Sequence, residues 1–291
     1  MINQHISVLI HSDSFFNAYW EALTPDEREK RLDLTRKVES IWPGSEASAR
    51  TEYKWASEKA RRYFSCVPQK EFEYSRRPRD WMNFVAKGVE KERLYEFSLQ
   101  EIKTFLSNSR GAGGCRVYGG VKPLASLDAG LEHPKVDSVH RRGLRDAWDA
   151  VRFRIVCSDM IVVRVVCVEM WQHYIDEIIG CRNYYVTAGG AGSDLYRAVH
   201  FELEIVPGRW IEIQVLTEPR DWVGFLDHSF LFKKRLRFMS REHENWLVGF
   251  SLRANVMDAR VLPDADVSIP PEILRRYKKL LKAARGPEGD S

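Results

Sequence analysis

The chain reads as an α+β protein, a mixed α/β sheet flanked by N- and C-terminal helices. Three observations predict this. Leu195 to Thr217 alternates apolar and polar residues on both sides of Pro207-Gly208, the pattern of a two-stranded hairpin. Asp149 to Cys157 alternates too, with Val151, Phe153 and Ile155 set against Arg152 and Arg154. Residues 1–110 and the stretch after 239 read instead as helical, with dense charge. The order strand, helix, strand, helix, hairpin, helix then gives a mixed sheet with helical extensions on both sides.

The elements follow in order. Thr24-Pro25-Asp26-Glu27 starts a helix: Thr24 caps it, Pro25 sits in the first turn and Glu27 closes a capping box. Trp42-Pro43-Gly44 stops it. Further helices are predicted over 46–64 and 79–107. Gly111-Ala112-Gly113-Gly114 breaks the chain and marks the expected boundary between a helical region, 1–110, and a core, 111–238. Within the core, 115–122 reads as a strand, 124–131 as a helix and His133-Pro134 as a loop. Over 160–179, Val-Val-Arg-Val-Val favours a strand, but the length and the spacing of Ile161, Val165, Val168, Ile175 and Ile179 predict a helix. Cys181 to Val186 reads as a strand, and Gly189 to Ser193 as a loop into the hairpin. A helix over 219–235 buries Trp222, Phe225, Leu226 and Phe230. The C-terminal region, 239–291, adds helices near 240–258 and 271–284.

Composition narrows the function classes. A hydrophobic fraction of 44% with nine tryptophans in 291 residues argues for a folded core, as one substantial domain with extensions or two small ones. A net charge of +4 is compatible with phosphorylated ligands and too small to establish nucleic-acid binding. Cys66, Cys115, Cys157, Cys167 and Cys181 form no C-x-x-C pair; they read as free thiols in a reducing compartment, without a zinc framework. No signal peptide and no membrane-spanning stretch is evident, so the expected location is cytoplasmic. Neither a P-loop nor a Gly-x-Gly-x-x-Gly fingerprint occurs. The basic clusters at Arg76, Arg77 and Arg79 and along 275–285 read first as solvated surface; second, the former reads as a phosphate contact and the latter as a contact for nucleic acid or another acidic partner.

The less apolar face of the hairpin carries Tyr196, His200, Glu202, Glu212 and Gln214. Two readings stay open for it: a half-exposed sheet face that needs polar residues, or the floor of a phosphate-transfer site.

Five patterns follow one another between 116 and 234. They are Gly119-Gly120-Val121-Lys122 with Ser126, Asp149 with Arg154, Tyr196-Arg197-Ala198-Val199-His200, Glu212-Ile213-Gln214-Val215-Leu216-Thr217, and Asp227-His228 with Lys233. Together they resemble the synthetase domain of the RelA/SpoT alarmone synthetase family. There the corresponding stretches are Gly-Arg-Val-Lys-x-x-x-Ser, Asp-x-x-x-x-Arg, Tyr-Arg-Ser-x-His, Glu-Ile-Gln-x-Arg-Thr and Asp-His with Tyr-Lys. The resemblance implies a nucleotidyltransferase-like core and a pyrophosphokinase that moves the β,γ-pyrophosphate of ATP onto a nucleotide 3′-hydroxyl with Mg²⁺. Carried over, Asp149 would hold Mg²⁺, and Glu212 would share the metal or act as base. Tyr196 would stack on the acceptor base, Lys122 and Arg154 would face phosphates, and His200 and Gln214 would support the cleft. The acceptor would be GDP or GTP, an adenine nucleotide, or the 3′ end of tRNA, with an antitoxin or immunity protein as external control.

The sequence also departs from the family. Gly120, Gly130 and Gly192 stand at basic positions, Asp194 stands at an asparagine, and Leu216 replaces an arginine. Arg116, Arg209 or basic residues of the helices would have to substitute. The alternative is a catalytically degenerate domain that binds a nucleotide or RNA as a sensor; a third reading makes the helical arms a protein-interaction platform.

Overall fold

Val151, Phe153, Ile155 and Cys157 are buried on one side of a strand, and Arg152 and Arg154 lie on the other. The same alternation runs through its neighbours and gives the sheet one apolar and one polar face. The computed structural model describes residues 4–12, 17, 20–41, 46–73, 80–109, 111–122, 149–187, 196–227 and 241–263. Within them, strands β1 (Arg116–Val121), β2 (Val151–Cys157), β3 (Ile178–Asn183), β4 (Val199–Val206) and β5 (Arg209–Thr217) form a five-stranded sheet in the order β1-β2-β5-β4-β3. β2 and β5 run parallel; the other pairs are antiparallel. The register sets Tyr118, Arg154, Gln214 and His200 in one row across the polar face, and Arg152, Glu212 and Glu202 in the next.

Helices α1 (Gln4–Ser12), α2 (Pro25–Ser40) and α3 (Glu46–Phe64) precede the sheet. The capping box of α2 is formed: Thr24 N donates to Glu27 Oε2 at 2.8 Å, and Glu27 N to Thr24 Oγ1 at 3.3 Å. The single helix expected over 79–107 is two, α4 (Trp81–Ala86) and α5 (Gly88–Asn108). Lys87 between them is extended, at φ −92° and ψ 107°, and Gly88 is the weakest helix former in the stretch. Helix α6 (Met160–His173) is shorter than expected. Asp159 caps its start, accepting from the amides of Ile161 and Val162 at 2.9 and 3.0 Å. After a turn at Tyr174, Ile178 and Ile179 leave the helical path and are buried in β3, where β-branched side chains pack well. The strand expected over 181–186 therefore begins at Ile178 and ends at Asn183. Residues 70–73 pair with its free edge, through Lys70 N to Cys181 O at 3.0 Å and Glu73 N to Ile179 O at 2.9 Å. Helices α7 (Glu218–Asp227) and α8 (Arg241–Arg260) follow the hairpin.

One core joins the apolar sheet face to the N-terminal helices. Phe153, Ile155, Phe201 and Ile213 pack with Phe64 of α3, Phe84 of α4, Ile102 of α5 and Val166 of α6. Tyr95 stacks on Phe153 with ring centroids 5.2 Å apart. β1 lies close enough to β2 that a Cβ on Gly119 would come within 2.4 Å of the Arg152 carbonyl. A second core joins Trp222 and Leu226 of α7 to Leu34 and Val38 of α2 and Phe250 of α8. Its anchor is Trp222, whose Nε1 donates to Thr35 Oγ1 at 3.0 Å. No described helix is long and apolar enough to cross a membrane. The expected helices over 124–131 and 271–284, the loops at His133-Pro134 and Gly189–Ser193, and the cluster Arg76, Arg77 and Arg79 lie outside the described residues.

Candidate functional site

On the hairpin the polar face is more buried than a half-exposed sheet face would be. Glu202 is 1% exposed, Glu212 6%, Gln214 7% and His200 8%. Buried polar groups need partners, and a run of contacts with one gap beyond hydrogen-bond range, between His200 and Glu212, supplies most of them. Tyr196 Oη and His200 Nε2 share a hydrogen bond of 2.7 Å. His200 Nδ1 lies 3.6 Å from Glu212 Oε2, beyond hydrogen-bond range but within ion-pair reach when the ring is protonated. Gln214 Nε2 donates to Glu212 Oε1 at 2.5 Å, and Arg154 Nε donates to Gln214 Oε1 at 3.1 Å. Arg154 Nη1 reaches Asp221 Oδ1 at 3.0 Å, and Tyr118 Oη donates to the same carboxylate. Arg31 Nη2 closes the row on Asp221 Oδ2 at 3.2 Å. Tyr184 packs edge-on to both Tyr196 and His200, at 5.5 and 4.8 Å.

Electrostatics drives two facing carboxyls apart. Burial opposes charge on Glu212, but His200, the Gln214 hydrogen bond and Arg152 outweigh it and hold the carboxyl down, at about 2. Glu202 stands directly opposite on β4. Burial and the Glu212 charge push its carboxyl up to about 8. Neither Glu202 oxygen has a hydrogen-bond partner among the described residues. Its carboxyl rests against Gly180, where a Cβ would come within 2.8 Å of Oε2. Burial also raises the Tyr196 hydroxyl, keeping it neutral.

Lys122 and Asp149 form a separate pair. Lys122 Nζ lies 2.6 Å from Asp149 Oδ2, each side chain about a quarter exposed. Lys122 N donates to Ala150 O at 2.8 Å, and the buried Lys91 donates to Lys122 O at 3.3 Å, which fixes this end of β1. Arg116 stands apart, paired at 2.7 Å with Glu218 on the surface. Arg209 is drawn away to Asp80 at 2.8 Å and lies over the Phe84 ring.

Of the residues singled out from the sequence, Tyr196, His200, Glu212, Gln214 and Arg154 therefore share one row. Lys122 and Asp149 meet each other, and Arg116 joins neither group. Asp221, Arg31 and Tyr118 were not foreseen. Arg31 and Asp221 are 190 residues apart, and no local pattern links them. Leu216 packs against Val156, Ala198 and Tyr196, so the position of the family arginine is an apolar wall. A Cβ on Gly120 would meet nothing within 4 Å. Ser126, Gly130, Gly192, Asp194, His228 and Lys233 lie outside the described residues.

Among the described residues no three His, Cys, Asp or Glu side chains gather as a metal cluster. The carboxylates of Asp149 and Glu212 are hard oxygen donors. Each is of the kind Mg²⁺ takes, with phosphate oxygens and water completing its shell, but the two sit in separate groups, Asp149 with Lys122 and Glu212 with Gln214 and His200.

No family model and no curated protein matches the chain. Among solved structures the chain is similar to small alarmone synthetase 1 from Bacillus subtilis bound to its product pppGpp. The identity is 20% and the TM-score 0.46, over 63% of this chain and 95% of that one. It is also similar to a GTP pyrophosphokinase family protein from Streptococcus pneumoniae, at 18% identity and TM-score 0.45 over 69% and 97% of the two chains. Small alarmone synthetase 2 from Bacillus subtilis gives 20% identity and TM-score 0.41 over 71% and 98%.

Proposed function

We propose that the chain is a pyrophosphokinase that transfers the β,γ-pyrophosphate of ATP to the 3′-hydroxyl of a nucleotide, with GDP or GTP as acceptor. The observation that carries this reading is the single buried row from Tyr196 through His200, Glu212 and Gln214 to Arg154. An aromatic for a base, a charged carboxylate and a cation are thereby held in a fixed order. In the transfer, the acceptor oxygen bonds to Pβ, the Pβ–O bond to the α-phosphate breaks, AMP leaves, and the hydroxyl proton passes to water. Tyr196 stacks on the acceptor base. Glu212, held down at about 2, stays charged across the physiological range. Its charge lets it orient the hydroxyl, share the metal and, as base, relay the hydroxyl proton to water. Lys122 and Arg154 face the phosphates. Asp149 and Glu212 would hold Mg²⁺, which when bound neutralises the phosphate charge.

Among the described residues Arg31 is a helix cation that reaches the row, from α2 through Asp221. One observation favours a sensor that binds without transfer: Leu216 puts an apolar wall where the family has a cation. An acceptor panel separates the readings. ATP labelled in the β-phosphate is incubated with Mg²⁺ and GDP, GTP, ADP, ATP or bulk tRNA in turn. Label moving to GDP or GTP supports the proposal, and label moving to another acceptor corrects the substrate. Nucleotide binding without transfer to any acceptor supports the sensor.

A further inference from the structure

We propose that Cys115 and Cys157 form a redox-active dithiol that a peroxide closes to a disulfide, tying edge strand β1 to β2. The inference does not rest on the nucleotide reading. Arg116 faces Val156 in the ladder, so one step further out Cys115 faces Cys157. The bond from Lys122 N to Ala150 O marks a hydrogen-bonded pair. Counting from it in twos leaves Cys115 and Cys157 at a non-hydrogen-bonded position. Facing Cα atoms there are about 4.5 Å apart, within the span a disulfide bridges. The two Sγ atoms are already 3.5 Å apart. Cys66 and Cys181 turn their thiols elsewhere, to the carbonyls of Tyr63 and Pro68 at 3.6 and 3.3 Å.

The two cysteines are not equivalent. Cys115 is partly exposed, and Cys157 is buried. The hydrogen bond between the two sulfurs lowers the Cys115 thiol, while that contact and burial raise Cys157. Cys115 is therefore the attacking sulfur and Cys157 the resolving one. The Cys115 thiolate attacks hydrogen peroxide; an S–O bond forms, the O–O bond breaks, and the released hydroxide takes up the Cys115 proton from solvent as water. The Cys157 sulfur then attacks the sulfenic sulfur. The S–S bond forms, the S–O bond breaks, and the Cys157 proton leaves with the hydroxyl as a second water. Both thiols are oxidised and one peroxide is reduced. The bond joins residues 42 apart and pins the strand that carries Arg116, Tyr118 and Lys122 on its other face.

The test uses the full-length reduced protein, hydrogen peroxide, alkylation of remaining thiols, and mass spectrometry of a non-reduced digest. The expected product is a Cys115–Cys157 peptide pair, two hydrogens lighter than its parts, with a raised melting temperature, both reversed by dithiothreitol. Cys157→Ala should trap a dimedone-reactive sulfenic acid at Cys115, and Cys115→Ser should leave Cys157 unoxidised. The proposal is overturned if Cys115 is oxidised while Cys157 remains free to alkylate, if Cys115 joins another cysteine, or if both thiols survive peroxide that oxidises other cysteines. Should Cys157→Ala not fold, the wild-type digest alone decides.

Discussion

Replacing Glu202 with glutamine should change stability in a strongly pH-dependent way. The carboxyl is buried, without a hydrogen-bond partner among the described residues and opposite a charged Glu212, and it is raised from 4.5 to about 8. The folded state therefore holds this proton more tightly than the unfolded chain. Below 4.5 both states are protonated and nothing is lost. As pH rises from there, the unfolded chain releases its proton while the folded one keeps it. Stability contributed by this group thus falls until about 8, and is constant above. At about 1.4 kcal/mol per pH unit the whole window is worth up to about 5 kcal/mol, and about 2–4 kcal/mol once local relaxation offsets part of it. Glutamine is neutral throughout. Near pH ~5 it should cost about 1 kcal/mol, because the amide brings one more buried polar group to satisfy than the protonated carboxyl. Near pH ~9 it should be more stable than wild type by about 1–3 kcal/mol. Urea denaturation followed by tryptophan fluorescence across this range reads the gap directly. A gap between variant and wild type that stays constant with pH would refute the assignment of a protonated, buried Glu202.

Three further outcomes follow from named contacts. Asp221→Asn leaves Arg154 and Arg31 facing each other without the charge between them, and should cost about 3 kcal/mol in urea denaturation. Trp222→Phe removes the donor to Thr35 and puts a smaller, weaker ring under Arg31, and should cost about 1–2 kcal/mol with a matching fall in melting temperature. The two adjacent glycines should behave oppositely. Gly119→Ala drives a Cβ to 2.4 Å from a backbone carbonyl and should cost about 1–3 kcal/mol. Gly120→Ala meets nothing and should be neutral or stabilising by about 0.5 kcal/mol, as thermal melts would show.

The sheet was legible in the sequence where the information is local. β2, β4 and β5 alternate along their length, and α3 lies where its spacing put it, over 46–64. Legibility failed where tertiary contacts override a pattern. Ile175 and Ile179 continue the helical spacing of α6, yet Ile178 and Ile179 gain more as part of a buried strand. Lys87 breaks a helix whose two halves bury different residues, Phe84 and Leu94, in the same core. At the candidate site, alternation placed His200, Glu202, Glu212 and Gln214 on one face but could not say what covers it. Cover comes from distant segments: Asp221 from α7, Arg31 from α2, and Phe72 beside Gly180. The parallel pairing of β2 with β5, which brings Arg154 beside Gln214, also joins segments far apart in the chain.

The central claim is that Glu212 serves transfer rather than binding. Wild type and Glu212→Gln should be compared for nucleotide affinity by calorimetry and for acceptor-dependent release of AMP from ATP. The account expects AMP release in wild type and a fall of at least about 100-fold in the variant, with nucleotide affinity within a few-fold. AMP release that survives in the variant, or is absent from a wild-type protein that binds both nucleotides, would contradict it.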